Sequence, residues 1–178
     1  MKKSLFIAII IILFHQYGKG ITVIMTQPGS LNTLISNRSI TNLTISGTID
    51  ARDFKFMRDS MPNLSTVDLQ NSNIASYNGI GGTSEMTSDT YASEIVPAFA
   101  FCDPVTTTGK PSLNSITFPK TLKGIDYEAF EGCSNLHQQL IIPDGVTFIG
   151  DMSFYLCSGL TGVLNIPATC TTLGFHAF

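Results

Sequence analysis

The sequence lacks tryptophan and is poor in charge, since only 13% of its 178 residues are charged while 43% are hydrophobic. A chain of this composition can bury a core, and its length suits a single domain. The sequence also lacks a G-x-S-x-G nucleophile motif, a C-x-x-C pair and a G-x-G-x-x-G phosphate loop. His15, His137 and His176 have no catalytic partner at a recognisable spacing. We therefore predict that the protein is not an enzyme and that it binds no metal and no cofactor.

No apolar run reaches the ~20 residues that a membrane-spanning helix needs. The first twenty residues, MKKSLFIAIIIILFHQYGKG, combine a basic start with an apolar run from Leu5 to Phe14 and small residues near the end. This pattern predicts a signal peptide over residues 1–20, with a retained membrane anchor as the alternative. We expect a secreted, extracellular or bacterial cell-surface protein with no stable membrane insertion after signal removal. The remaining chain has seven basic and thirteen acidic residues, a net charge of −6, which disfavours nucleic acid as a partner.

One pattern recurs three times with a step of 24 residues. Its columns are an apolar residue before proline, a second apolar residue, a small residue before phenylalanine, and a cysteine. The members are Phe118-Pro119, Ile142-Pro143 and Ile166-Pro167; Ile125, Ile149 and Leu173; Ala129-Phe130, Ser153-Phe154 and Ala177-Phe178; and Cys133 and Cys157. Agreement of four columns on one period of this length indicates a solenoid of stacked coils.

The period continues towards the N-terminus. The segments LTISG (43–47) and VDLQN (67–71) are 24 residues apart, and the second precedes the column of Phe118 by 49 residues. The longer interval is one coil with extra residues. Apolar marks inside it place most of the excess in an insertion loop at about residues 76–94 and the remainder near VTTTGKP.

Each unit is predicted to form one short strand and then a turn. In ITF, LII and LNI the outer side chains point one way and the middle one the other, and the following proline ends the strand. One coil cannot enclose its own apolar residues, so the coils must stack in parallel. We predict a right-handed solenoid of about five coils with little helix. The one helix is expected in residues 50–62, with Asp50 as N-cap, Phe54, Met57 and Met61 on one face, and Pro62 as a stop.

The pattern I-P-x-x-V-x-x-I-G-x-x-A-F-x-x-C-x-x-L resembles the BspA-like leucine-rich repeats of surface proteins from anaerobic gut and oral bacteria. The resemblance covers residues 21–178 and implies a leucine-rich-repeat domain of the α/β horseshoe class. It also implies a non-catalytic binding or adhesion module that recognises a host or matrix protein. The alternative is a structural spacer or display element, or a truncated fragment of a larger surface protein, without a ligand of its own.

The four cysteines allow two interpretations. Cys133 and Cys157 would lie side by side on neighbouring coils, close enough for a disulfide. The favoured interpretation is a buried column of small apolar thiols, because the cysteines follow the core period. Cys170 lies 24 residues after Val146 and so takes the place of a core valine.

The middle strand residues and their outward neighbours form the candidate protein-binding surface, which we call the sheet face. Its predicted members are Thr66, Asp68, Ser115, Thr117, Gln139, Ile141, Val163 and Asn165. Exposed Ile141 and Val163 beside polar neighbours could form a contact patch. The alternative is an inert, solvated sheet face, since single exposed apolar residues are common.

The last repeat is incomplete, because the sequence stops at Phe178, on a core position. Leu164, Ile166 and Leu173 would then face no further coil. We interpret the sequence as a truncated piece of a longer protein. We also expect this uncovered end to promote self-association or to leave the chain poorly stable.

Overall fold

The computed structural model describes residues 13–14, 20–84 and 89–178, so the predicted signal peptide lies largely outside the described residues. The described strands are β1 Leu13–Phe14, β2 Gly20–Met25, β3 Asn42–Ile49, β4 Thr66–Ile74, β5 Tyr77–Gly79, β6 Asp89–Tyr91, β7 Ile95–Val96, β8 Cys102–Asp103, β9 Thr108–Gly109, β10 Ser115–Thr117, β11 Gly124–Ile125, β12 Phe148–Ile149 and β13 Thr172–Leu173. The helices are α1 Leu31–Leu34 and α2 Ala51–Ser60.

Two parallel ladders build the solenoid. Strands β2, β3, β4 and β10 pair in parallel along one side, with β1 antiparallel at the edge, and β7, β11, β12 and β13 pair in parallel along another. The second ladder aligns Val96, Ile125, Ile149 and Leu173, which is the column that the 24-residue period predicts. The chain makes about six turns. This is one more than expected, because β2 adds a coil before the first predicted strand.

A column of stacked phenylalanine rings runs through the core. Phe101, Phe130, Phe154 and Phe178 stack in order, with ring centroids 5.4, 5.0 and 5.3 Å apart. Phe54 of α2 meets Phe101 edge-on at 6.1 Å and so joins the column to the first coils. Aromatic pairs in such arrangements add about 0.5–1.5 kcal/mol each beyond the area they bury. The repeated phenylalanine therefore stabilises contacts between coils rather than within one coil.

Helix α2 forms as predicted. The Asp50 side chain accepts a hydrogen bond at the first turn, and Asp53 accepts one from the Asp50 backbone N–H at 3.0 Å, which completes a capping box. Phe54, Met57 and Met61 are completely buried. The helix therefore replaces one side of a coil and presents its apolar stripe to the core.

Both predicted insertions form antiparallel hairpins. Strands β5 and β6 pair in the longer insertion, and β8 and β9 pair in the shorter one. Arg58 of α2 holds both, because its Nη1 donates to the carbonyl oxygens of Thr83 and Phe99 at 2.8 Å and of Cys102 at 3.1 Å. The described part of the longer insertion is thus fixed to the solenoid at Thr83.

The four cysteines are free thiols, and three of them are buried. Cys133 Sγ donates to the Phe101 carbonyl oxygen at 3.5 Å, and Cys157 Sγ donates to that of Phe130 at 3.1 Å. Each thiol thereby contacts the preceding coil. Burial raises the pKa of Cys157 to about 12, so this thiol stays protonated at neutral pH. The structure therefore contains the thiol column, not the alternative disulfide.

Candidate functional site

All eight predicted members of the sheet face reach solvent. Thr117, Gln139, Ile141, Val163 and Asn165 are exposed, whereas Thr66, Asp68 and Ser115 are half-buried. Ile141 is 73% exposed and Val163 67% exposed. Their neighbours on the core side, such as Leu140 and Ile142, are buried. The alternation expected for a strand with one solvated side is therefore present.

Strand pairing places several of these side chains in register. Thr66 pairs with Ser115 and Asp68 with Thr117 in the β4–β10 ladder, while Ile141 forms a bridge with Asn165. The same column continues beyond Asp68 through the half-buried threonines of β3 and β2, namely Thr44 and Thr22. The sequence analysis missed these two threonines because its strand assignment started one coil too late.

The strand column is interrupted between Thr117 and Ile141, which differs from the continuous stack that we predicted. The side chain of Gln138 occupies the pairing edge of β10. Its Oε1 accepts from Ser115 Oγ at 2.7 Å and from the Ile116 N–H at 3.2 Å, and its Nε2 donates to the Ile116 carbonyl oxygen at 2.8 Å. The amide thus satisfies the backbone groups that the next strand would otherwise pair with. The next strand is reduced to a single bridge as a result.

This interruption opens a groove of about 460 Å³ on the sheet face. Its lining residues are Gln70, Ile116, Thr117, Phe118, Lys120, Gln138, Gln139, Ile141, Pro143, Asp144 and Gly145. The floor is apolar, and the rim carries amides, one hydroxyl and a charge of each sign. Such a lining suits a protein segment that offers one apolar side chain and several backbone hydrogen-bonding groups.

Three groove residues were not on the predicted face. Gln70 and Lys120 are exposed, and Gln138 is half-buried. Gln138 directly precedes a strand whose equivalent in the previous coil begins one residue after Asn114, so its position in the repeat was readable. Its reach across to Ile116 was not readable, because it depends on the distance between two coils.

The comparisons with known proteins agree with this architecture. Residues 98–178 match the family model described as the BspA type leucine rich repeat region, in 6 copies. The crystal structure of T. pallidum leucine rich repeat protein (TpLRR) aligns at 16% identity and a TM-score of 0.37, and the alignment covers 93% of this chain and 50% of that chain. This chain thus spans half the length of that protein. No curated protein matches the chain.

The parts of the chain that the structure describes contain no helix with the length and apolar character needed to cross a bilayer. They contain instead the parallel ladders, the phenylalanine column and the 24-residue register set out above. These features and the match over residues 98–178 lead to one assignment. In this region the chain belongs to the BspA-type leucine-rich repeat family.

Proposed function

We propose that the protein is a non-catalytic, secreted or cell-surface module that binds a host or matrix protein through the sheet face of the solenoid. A BspA-type repeat region indicates a protein-interaction or surface module. The basic start and short apolar run of residues 1–20 support export. The absence of recognised nucleophile or phosphate-loop motifs from the sequence supports a role in binding rather than in catalysis.

The groove between Thr117 and Ile141 is the observation that carries this proposal. Ile141 is 73% exposed at its edge, and Phe118 and Ile116 form an apolar floor beneath. An apolar side chain that entered the groove would bury this surface, at about 25 cal/mol for each Å² removed from water. The surrounding amides would fix the register of the bound segment.

Alanine substitution tests the sheet face directly. The full chain and a variant with Asp68→Ala, Thr117→Ala, Ile141→Ala and Asn165→Ala would be compared for binding to immobilised extracellular-matrix proteins by biolayer interferometry. We expect the variant to bind at least about tenfold more weakly, because central interface residues commonly contribute more than about 1 kcal/mol each. The matched control is Val105→Ala, since Val105 is 75% exposed but lies in the β8–β9 hairpin.

Unchanged binding by the alanine variant would refute the role of the sheet face. Failure of the unsubstituted chain to bind any matrix or host protein would favour the second candidate, a spacer or display element. The exposed apolar side chains of Leu173 and Phe175 favour that candidate, because they would pack well against further repeats or another domain. The two functions therefore make opposite predictions for the unsubstituted chain.

A further inference from the structure

A thiol and two carboxyl groups meet away from the sheet face. Cys102 lies in β8 of the shorter hairpin, and Glu128 and Glu131 lie in the turn that follows β11. All three residues are buried, with exposed fractions of 0%, 5% and 7% in that order. One ligand atom from each lies within 4.8 Å of the others. We call this group the Cys102 cluster.

The Glu131 carboxylate is the unusual member of the cluster. Its Oε2 atom is buried and has no hydrogen-bond partner among the described residues. Buried polar atoms are almost always paired in folded proteins, and an unpaired buried carboxylate is costly. This oxygen therefore lacks the partner that its burial requires.

The electrostatics of the cluster favour a cation. Burial, followed by the charge of Glu128, raises the pKa of Glu131. Burial, followed by the charges of Glu131 and Glu128, raises the pKa of Cys102 to about 12. Each acidic group thus disfavours ionisation of the others. A proton shared by the two carboxyl groups would relieve part of this repulsion and is the competing occupant.

We propose that the Cys102 cluster binds a divalent transition-metal ion of the zinc class, through the thiolate of Cys102 and the carboxylates of Glu128 and Glu131. Zinc accepts sulfur and carboxylate ligands together, whereas calcium and magnesium select oxygen alone. Zinc ligands in a tetrahedral site lie roughly 3.5 Å apart, so the three side chains need to close by only about 1 Å. Binding releases the Cys102 thiol proton and any proton shared by the carboxyl groups to solvent.

Groups around the cluster already orient its members. A hydrogen bond to Glu128 raises the pKa of the Tyr127 hydroxyl to about 12, so this phenol acts as a donor to the carboxylate. Arg58 Nη1 donates to the Cys102 carbonyl oxygen at 3.1 Å and fixes the backbone of β8. Such outer partners are typical of sites that hold metal ligands in place. A bound ion would join the β8–β9 hairpin to the next coil.

Cobalt titration of the full chain under a non-coordinating reductant tests the proposal. Co²⁺ replaces Zn²⁺ in sulfur-containing sites and reports a thiolate ligand by a charge-transfer absorption band. We expect one ion per chain, the charge-transfer band, and loss of the band when Zn²⁺ is added. Cys102→Ala should abolish the band, and Glu131→Gln should weaken binding by at least about tenfold.

Cys170→Ser is the matched control, because Cys170 is a free thiol outside the cluster, and it should keep the band. If Glu131→Gln fails to fold, the comparison of Cys102→Ala with Cys170→Ser still identifies the thiol. Thermal unfolding provides a second measurement, since saturating Zn²⁺ should raise the melting temperature of the unsubstituted chain but not that of Cys102→Ala. Absence of the band, or a band that survives Cys102→Ala, would overturn the proposal and leave a proton-sharing carboxyl pair.

Discussion

At the residue scale, a buried lysine connects helix α2 to the coil that follows it. Lys110 Nζ donates to the carbonyl oxygens of Arg58 at 3.0 Å and Met61 at 2.8 Å. These carbonyls lie at the C-terminal end of the helix, where intrahelical partners run out. Burial lowers the pKa of Lys110 to about 8, against the favourable charge of Asp59. Lys110 therefore satisfies the helix end at the cost of burying a charge.

The low pKa makes the contribution of Lys110 to stability depend on pH. Between about pH 8 and 10.5 the unfolded chain binds more protons at Lys110 than the folded chain does, so the free energy of unfolding rises with pH in this window. Lys110→Met removes this rise. We expect the stability difference between the unsubstituted chain and the variant to grow with pH by on the order of 2 kcal/mol, after allowance for screening by solvent.

Urea unfolding at about pH 7 and about pH 10, with a reductant present, measures this difference. Ionisation of the cysteines affects both proteins and cancels in the comparison. A stability difference that is equal at the two pH values would show that Lys110 is not desolvated in the folded chain.

At the element scale, Asp53 connects α2 to the preceding coil. Its carboxylate accepts from the backbone N–H groups of Gly29 at 2.7 Å, Leu31 at 2.9 Å and Asp50 at 3.0 Å. Burial raises the pKa of Asp53, and the three backbone hydrogen bonds oppose that effect. One side chain therefore caps the helix and fixes the turn before α1.

Asp53→Ala should destabilise the chain by about 3 kcal/mol or more, because three buried N–H groups lose a charged acceptor. The control is Asp144→Ala, since Asp144 is exposed in the turn after Ile142, and its removal should cost under about 0.5 kcal/mol. Chemical denaturation at neutral pH measures both changes. Equal stability of the two variants would contradict the role assigned to Asp53.

The sequence predicted α2 well and its attachment poorly. The cap at Asp50 and the apolar stripe of Phe54, Met57 and Met61 are local signals that need only the 3.6-residue period. The contact between Asp53 and Gly29 spans 24 residues and exists only because two coils stack. Local patterns carry no information on which side chain reaches a neighbouring coil.

At the scale of the whole molecule, contacts run between successive coils, so each coil depends on its neighbours. Ile125 and Ile149 are completely buried between other coils, whereas Leu173, their counterpart in the last described coil, is 56% exposed. Phe175 is 66% exposed nearby. The apolar surface that the ladder would bury between coils thus faces solvent here.

We predict that this surface causes self-association. Light scattering over a range of concentrations should show an average mass that rises with concentration for the unsubstituted chain. The double variant Leu173→Ser and Phe175→Ser should remain closer to the monomer mass, because it removes exposed apolar area. Val105→Ser is the control, as Val105 is 75% exposed in a hairpin. A monodisperse, thermally stable unsubstituted monomer would contradict this prediction.

The sequence by itself determined the coil, because a repeated spacing fixes which residues share a column whatever the details of packing. The order of Phe130, Phe154 and Phe178 in one stack and the register of Ile125 with Ile149 follow from the 24-residue step alone.

The tertiary structure alone decided where the columns are interrupted and which polar groups meet. The Gln138 amide against Ile116 and the approach of Cys102 to Glu128 and Glu131 both depend on distances between coils. Insertions shift the chain out of its period before such contacts form, as β8 shows. The repeat therefore specifies the apolar columns, whereas the candidate sites arise at departures from it, where polar side chains satisfy backbone or charge that regular stacking would have paired.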